Sequence, residues 1–182
     1  MGNERKVKYY FPLHYDGGNR GCEAIAKGTA MLLGEDSQNM MAYCRNPQLD
    51  HNLGIDQYMT LVPYHRESYC LDRFLALINW LFHTNSTLRW RLLYAYRSFI
   101  RRITPNDVML STGGDMMCYG NNEIIYTNDY LHARGTKTVL WGCSMGKENL
   151  TPEKRTTLNN FSLIYARESL TYDFFKSLGL DN

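Results

Sequence analysis

Short apolar runs alternate with helical patterns along most of this chain, and this alternation is what most constrains its fold. The predicted strands are Val7–Leu13, Asn39–Tyr43, Met59–Pro63, Val108–Leu110, Thr138–Cys143 and Ser162–Ala166. Two helical patterns cover residues 21–33 and 122–134. A third helix is predicted to begin at Thr151-Pro152, and a last helix follows the final strand with Leu170, Phe174 and Leu178 at helical spacing. Such alternation is typical of parallel βαβ units. The sequence therefore predicts an α/β fold with a Rossmann-like, doubly wound parallel sheet.

Several predicted helices carry signals at their ends. Asn19 is placed to cap the first helix, and Glu23 and Lys27 are spaced to pair on its outer face. Asn121 and Gly135 are predicted to cap the helix over residues 122–134. The residues of the first helix predicted to face the sheet are Gly21, Ile25, Gly28 and Leu32.

Residues 64–105 interrupt the alternation with two predicted helices, Ser68–His83 and Ser86–Arg102. The segment holds seven arginines and two acidic residues, whereas the remainder has thirteen basic and sixteen acidic residues. Its first helix is apolar nearly all round, and its second places Leu92, Tyr96, Phe99 and Ile103 on one face. The insert can be a helical hairpin packed on the sheet with a solvated basic rim. It can also dock on anionic lipid, where basic and aromatic side chains act together, with nucleic acid as a third alternative.

Composition limits the class of protein. With 182 residues, of which 44% are hydrophobic, the chain can bury the core of one domain. A net charge of +2 is too small to indicate a nucleic-acid partner. The five scattered cysteines lack a C-x-x-C pair, which favours a reduced cytoplasmic protein with small buried cysteines and no metal site. The charged N-terminus has no signal-peptide core, and no apolar run is long enough to span a membrane.

The stretch 107–120, DVMLSTGGDMMCYG, combines a short buried strand with a glycine-rich exit. Gly113 and Gly114 can adopt positive φ and let the backbone approach a ligand closely. Asp115 follows at once, so a carboxylate stands at the carboxyl end of a strand, where ligands bind in open α/β sheets. The alternative is a tight exit in which Asp115 bonds locally or caps the next segment.

Four strand exits carry polar or glycine-rich loops, at residues 16–21, 111–115, 142–146 and 167–169. In a parallel sheet these loops lie along one edge, where helix N-termini offer free N–H groups to a phosphate or carboxylate. No G-x-G-x-x-G follows the first strand, and no G-x-x-x-x-G-K-[ST] occurs in the sequence. These absences argue against an NAD dehydrogenase or a P-loop enzyme.

The loops resemble those of the polysaccharide pyruvyl transferase family. The matching segments are GNRGCEA at 18–24, STGGD at 111–115, GCSMG at 142–146 and ARES at 166–169. They stand in the order and at the strand exits where that family has them, and they cover nearly the whole chain except the arginine-rich insert. The chain departs from the pattern at Thr171, where the family often has serine, and at Asp115, where many members have a third glycine.

The resemblance implies a domain similar to the N-terminal, Rossmann-like half of a B-type glycosyltransferase fold. It implies transfer of a pyruvyl group from phosphoenolpyruvate, a co-substrate, to a sugar hydroxyl, giving a pyruvate ketal in a surface or capsular polysaccharide. The basic residues that bind phosphoenolpyruvate belong to a second, C-terminal half. Residues 1–182 are therefore expected to form one domain, with its insert at about 64–105, that is inactive alone. The expected partners are that C-terminal domain, a saccharide or lipid-linked saccharide acceptor, and an anionic membrane surface facing the cytoplasm.

Ketal formation needs a base for the acceptor hydroxyl and an acid that activates the enol carbon. Asp115 is the candidate catalytic residue. The candidate substrate-binding residues are Asp16, Gly18, Asn19, Gly21, Gly113, Gly114, Ser144 and Glu168. Glu168 can instead form a structural ion pair with Arg167, and His14 in the first loop is a further residue capable of acid–base chemistry. The alternatives are half of a nucleotide-sugar glycosyltransferase of the same fold and a truncated, non-catalytic sugar-binding module.

Overall fold

Six parallel strands form one open sheet with helices around it. The computed structural model describes residues 6–12, 18–64 and 69–182. The strands are β1 (Tyr9–Phe11), β2 (Met40–Cys44), β3 (Thr60–Pro63), β4 (Val108–Gly114), β5 (Lys137–Cys143) and β6 (Leu163–Ala166). Their order across the sheet is β3-β2-β1-β4-β5-β6, and every neighbouring pair is parallel. This is a doubly wound, Rossmann-like order, and the predicted fold class is confirmed.

Seven α-helices connect and flank these strands in the described residues. They are α1 (Arg20–Leu33), α2 (Pro47–Asn52), α3 (Tyr69–Phe82), α4 (Asn85–Ile100), α5 (Glu123–His132), α6 (Pro152–Asn160) and α7 (Ser169–Ser177). The sequence did not predict α2, because six residues are too few to show a helical period. The predicted end of β4, at Leu110, is too early, because Ser111, Thr112 and Gly114 continue the pairing with β5 beyond the apolar run.

The two faces of the sheet carry separate cores, because successive residues of a strand point to opposite sides. Tyr10 packs with Tyr43 and with Phe99 of α4 on one face. Phe11, the next residue, packs with Ala26 of α1 on the other face. The insert and the first helix therefore lie on opposite sides of the sheet.

The end signals of α1 are confirmed, but its predicted packing face is wrong. Asn19 caps the helix by accepting a hydrogen bond from the Gly21 N–H at 2.9 Å, and Lys27 pairs with Glu23 at 2.8 Å. The buried residues are Ala26, Thr29 and Ala30. Among the four residues predicted to face the sheet, Ile25 is 38% exposed and Leu32 is 79% exposed.

A specific contact explains the face that α1 buries. The Thr29 hydroxyl accepts a hydrogen bond from the Trp141 indole of β5 at 3.1 Å, which turns this side of the helix to the sheet. The small side chains of Ala26 and Ala30 flank it on the same face. Gly28 is not needed for close approach, because a Cβ built there would meet nothing within 4 Å.

Three other predictions need correction. The cap of α5 is Asn122 and not Asn121, since the Asn122 side chain accepts from the Ile124 N–H at 3.0 Å. The buried face of α7 contains Thr171 and Phe175, whereas Leu170 is 80% exposed. Not every cysteine is buried, because Cys70 on α3 is exposed.

The helical hairpin predicted for the insert is present, but its two helices differ in burial. α4 buries Tyr96, Phe99 and Ile100 against the sheet. α3 has no buried residue and packs on α4. The apolar character of α3 therefore does not come from a place in the core.

We expect Phe99→Ala to lower the free energy of unfolding by about 3 to 5 kcal/mol, because it leaves a cavity beside Tyr10 and Tyr43. Phe99 is fully buried, whereas Phe74 on α3 is 55% exposed and provides the matched control. Phe74→Ala should change stability by about 0.5 kcal/mol or less. Urea denaturation of both variants tests this, and equal losses would contradict the packing of α4 described above.

Candidate functional site

The carboxyl ends of β1 and β4 meet where the strand order of the sheet reverses. The chain continues from β1 to β2 and β3 on one side, and from β4 to β5 and β6 on the other. In open α/β sheets this switch point forms the ligand-binding crevice. The predicted site residues at these two exits are Gly18, Asn19, Gly21, Gly113, Gly114 and Asp115. Asp16 and His14 belong to the β1 exit in sequence but lie outside the described residues.

The exits of β4, β5 and β6 are held in register by the backbone. Gly114 pairs with Cys143, and Cys143 pairs in turn with Ala166. Beyond this row, the Ser144 N–H donates to the Gly114 carbonyl at 2.6 Å. Three predicted site residues lie just beyond this row. Asp115 and Ser144 follow it directly, and Glu168 follows it after one intervening residue. The structure thus places all three along one edge.

The backbone conformation at position 114 requires glycine. Its φ is +45°, a left-handed value that L side chains rarely adopt. A Cβ built at this position would meet nothing within 4 Å, so the space above it is open. The predicted positive φ is confirmed at Gly114, and the chain turns there out of β4 toward Asp115.

Asp115 is exposed and makes a local bond through one carboxylate oxygen. The Tyr119 hydroxyl donates to its Oδ2 atom at 2.7 Å, and this hydrogen bond raises the pKa of Tyr119. Its side chain does not cap the short 3₁₀ turn that follows. In the part of the chain that the structure describes, Oδ1 has no hydrogen-bond partner. The carboxylate is therefore oriented by one bond and retains one oxygen for a ligand.

Glu168 is held by two hydroxyl groups. Ser144 Oγ donates to its Oε2 atom at 2.7 Å, and Thr171 Oγ1 forms a short bond to Oε1. The bonds from Thr171 and Ser144 lower the pKa of Glu168. Thr171 also accepts from the Met145 N–H at 3.0 Å, so the threonine at this position supplies a hydroxyl as serine would. The charge of Arg167 also lowers the pKa of Glu168, although these two described side chains do not form a direct salt bridge.

Lys154 is a buried residue of this region that the sequence did not indicate. It is 1% exposed, and its ammonium donates to the carbonyls of Met117 at 2.9 Å, Asn149 at 2.8 Å and Tyr119. Burial lowers the pKa of Lys154. The ammonium thus fixes the turn that carries Asp115 and Tyr119. No sequence signal could have found it, because a lysine in the first turn of a helix is ordinarily solvated.

Cys143 lies in the same row but is unsuited to nucleophilic chemistry. Burial, followed by the nearby Glu168 carboxylate, raises the pKa of the Cys143 thiol to about 12. The thiolate is the reactive form of cysteine, so this residue stays protonated and unreactive at neutral pH.

Neither the pocket beside α4 nor a metal-binding cluster coincides with this edge in the part of the chain that the structure describes. This pocket, of about 250 Å³, opens among α4, α5 and α6, and its lining includes Arg89, Tyr126 and Glu153 but none of the predicted site residues. Within residues 6–12, 18–64 and 69–182, no group of three His, Cys, Asp or Glu side chains is placed to hold a metal ion. The oxygen and nitrogen groups at the carboxyl edge therefore remain the best candidates for ligand contact.

Comparison with known proteins agrees with the motifs at this edge. A family model described as Polysaccharide pyruvyl transferase matches residues 19–182. No curated protein and no solved structure matches the chain. The matched range contains the exits of β4, β5 and β6, with Asp115, Ser144 and Glu168, together with Asn19 at the start of α1.

We expect Glu168→Gln to remove part of the acid sensitivity of the fold. Because the pKa of Glu168 is lowered on folding, its contribution to stability is present above the unfolded carboxyl pKa of about 4.3 and is lost as pH falls through the lower folded value. The melting temperatures of the two proteins should therefore differ at pH 7 and converge as the pH is lowered. Glu148→Gln, at an exposed position in the neighbouring loop, is the control. If the difference in melting temperature between Glu168→Gln and the unaltered protein stays constant with pH, the lowered pKa of Glu168 does not contribute to stability.

Proposed function

Because the chain belongs to the polysaccharide pyruvyl transferase family, we propose that it provides the acceptor side of a pyruvyl transfer reaction. The donor is phosphoenolpyruvate, the acceptor is a saccharide with two suitably placed hydroxyls, and the product is a pyruvate ketal. The family is named for the transfer of a pyruvyl group, which favours this reaction over that of a nucleotide-sugar glycosyltransferase with the same fold. A C-terminal domain with basic residues for phosphoenolpyruvate belongs to this proposal.

The observation that carries the proposal is the position of Asp115. Its exposed carboxylate follows Gly114 at the switch point of the sheet, is oriented by Tyr119, and retains Oδ1 for a ligand. Carboxylates bind sugar hydroxyls well, because an ionised acceptor makes a hydrogen bond roughly twice as strong as a neutral one. In this proposal Asp115 holds an acceptor hydroxyl and takes its proton.

The proposed reaction balances in two steps. In the first, an acceptor hydroxyl oxygen bonds to C2 of the enol, C3 takes a proton from solvent to become the methyl group, and Asp115 receives the hydroxyl proton. In the second, the other acceptor hydroxyl bonds to the same C2 while the C2–O bond to phosphate breaks. The second hydroxyl proton leaves with the phosphate or passes to solvent. Among the described residues we assign only the base, Asp115, and no acid.

The other edge residues complete the acceptor side in this proposal. Asn19 Oδ1 is taken by the Gly21 N–H, so its Nδ2 group is what remains to donate to a hydroxyl. Ser144 donates to Glu168, and its oxygen can still accept from a ligand. Gly114 leaves the space above the sheet edge open for the sugar, and Gly113 is proposed as a substrate contact from the resemblance alone. Gly18 and Asp16 belong to the β1 exit and are proposed as substrate contacts from the resemblance alone.

We expect Asp115→Asn in the full-length protein to lower turnover by about 100-fold or more, because a neutral amide cannot accept the hydroxyl proton. The melting temperature should change little, since the amide oxygen can still accept from Tyr119. The measurement is acceptor-dependent phosphate release from phosphoenolpyruvate, with the ketal confirmed by mass spectrometry. Asp173→Asn, at an exposed position of α7, is the control. Full activity of Asp115→Asn at all acceptor concentrations would make Asp115 a turn residue only.

Substitutions at Gly114 separate backbone strain from occupied space. Gly114→Ala and Gly114→Val should both lose roughly 1–2 kcal/mol of stability from the positive φ, although nothing obstructs the Cβ. Gly114→Val should raise the acceptor KM further than Gly114→Ala, because its branched side chain fills the space above the edge. Gly28→Ala in α1 is the control and should stabilise the fold slightly, since alanine is the better helix former. Equal KM values for the two Gly114 variants would place the acceptor elsewhere.

A further inference from the structure

The outer face of α3 is apolar and uncovered in the part of the chain that the structure describes. Its large side chains Tyr69, Phe74, Leu77, Trp80, Leu81 and Phe82 are between 50% and 66% exposed. Scattered exposed apolar residues are ordinary, but a contiguous set on one helix indicates an interaction surface. We refer to α3 and the exposed residues of α4 as the hairpin surface.

The packing of the hairpin explains why this face points outward. α4 lies on the sheet through Phe99, and α3 packs on α4. Several residues of α3, including Leu75 and Ile78, are half-buried. The Thr87 hydroxyl of α4 donates to Asn79 Oδ1 of α3 at 3.0 Å, which fixes the two helices side by side. α3 therefore forms a third layer, outside α4, and its inner face is covered by α4.

The hairpin surface is also strongly basic. Residues 69–102 contain six arginines and one acidic residue, Asp72. Arg73 lies on the exposed side of α3, with its guanidinium 5.6 Å from the centre of the Tyr69 ring. Arg91 and Arg101 are exposed on or at the end of α4, where Trp90 is 58% exposed. Apolar, aromatic and cationic groups thus share one surface.

We propose that the hairpin surface docks on an anionic lipid bilayer, with α3 lying in the plane of the membrane interface. Arginines attract acidic headgroups, while apolar side chains enter the boundary with the acyl chains and tryptophan and tyrosine favour that boundary. None of the described helices is long and apolar enough to cross a membrane. The helix therefore lies on the bilayer and does not span it.

Charge argues against a second copy of this chain as the occupant. A two-fold interface places the same patch on both subunits, so the arginines of one copy would face those of the other. Like charges across an interface are unfavourable, whereas an anionic bilayer complements them. The lipid proposal rests on these features alone and does not depend on the reaction proposed above.

The direct test is flotation of the full-length protein with vesicles of phosphatidylcholine alone or mixed with phosphatidylglycerol. We expect binding to the anionic vesicles that is at least tenfold stronger than binding to the neutral ones. Salt should release the protein as the Debye length falls from about 10 Å at 0.1 M to about 3 Å at 1 M. Tryptophan emission should shift to shorter wavelength on binding, and Trp80→Phe should reduce that shift.

Matched pairs of variants separate the hairpin surface from general charge and hydrophobicity. Leu77→Ser with Leu81→Ser, and Arg73→Glu with Arg101→Glu, should each weaken vesicle binding at least tenfold. The apolar control is Met31→Ser with Leu32→Ser on α1, on the opposite face of the sheet, where both residues are more than 70% exposed. The charge control is Arg134→Glu with Lys137→Glu, which changes net charge by the same amount at exposed positions. Both controls should bind as the unaltered protein does.

Several outcomes would overturn the proposal. Equal binding to neutral and anionic vesicles, or no binding, would exclude an anionic bilayer as the occupant. A dimer in sedimentation analysis that the two serine substitutions dissociate, without vesicle binding, would assign the surface to a second copy. If the serine pair fails to fold, as judged by circular dichroism, the arginine pair and the salt dependence decide the question.

Discussion

The pairing of β4 with β1 on one side and β5 on the other is the interaction on which the rest of the structure depends. It places β4 at the reversal of strand order, so its exit opens into the crevice of the sheet. The bond from the Ser144 N–H to the Gly114 carbonyl extends this pairing beyond the last paired residues. Asp115 and Glu168 then reach the same edge, although 53 positions separate them along the chain. A shift of one residue in β5 would turn every side chain of this row to the wrong face.

The buried ammonium of Lys154 shows how this edge is kept rigid. Removing a charge from water is costly unless its hydrogen bonds are replaced, and an ammonium has three donors. Three carbonyls, of Met117, Asn149 and Tyr119, accept from it, so each donor has a partner. The same bonds hold the turn that follows Asp115. The buried charge is tolerated because all three donors have partners. Its hydrogen bonds also hold in place a loop that regular secondary structure does not stabilise.

Local signals could be read from the sequence, whereas contacts between distant elements could not. Asn19 as a helix cap and the Glu23–Lys27 pair depend on neighbours within one turn, and both are confirmed. The face of α1 depends on Trp141, which is 112 positions from Thr29, and it was predicted wrongly. Lys154 was missed for the same reason, since its partners lie in loops that only the folded sheet brings near. Motifs at strand exits were informative because parallel pairing fixes where exits go.

The hairpin surface and the candidate site are linked by the start of α4. Asn85, at this point, accepts a hydrogen bond from Asn121 beside α5 at 3.2 Å, and Asn121 accepts from Thr151 at the cap of α6 at 3.0 Å. The helices α5 and α6 follow β4 and β5, so their first turns lie at the carboxyl edge of the sheet. The C-terminal end of α3, which carries Trp80, is joined to the start of α4 by a short connection. This end of α3 therefore also lies toward the carboxyl edge. If α3 rests on a bilayer, the edge that carries Asp115 is therefore held near the membrane, where it could meet an acceptor attached to lipid.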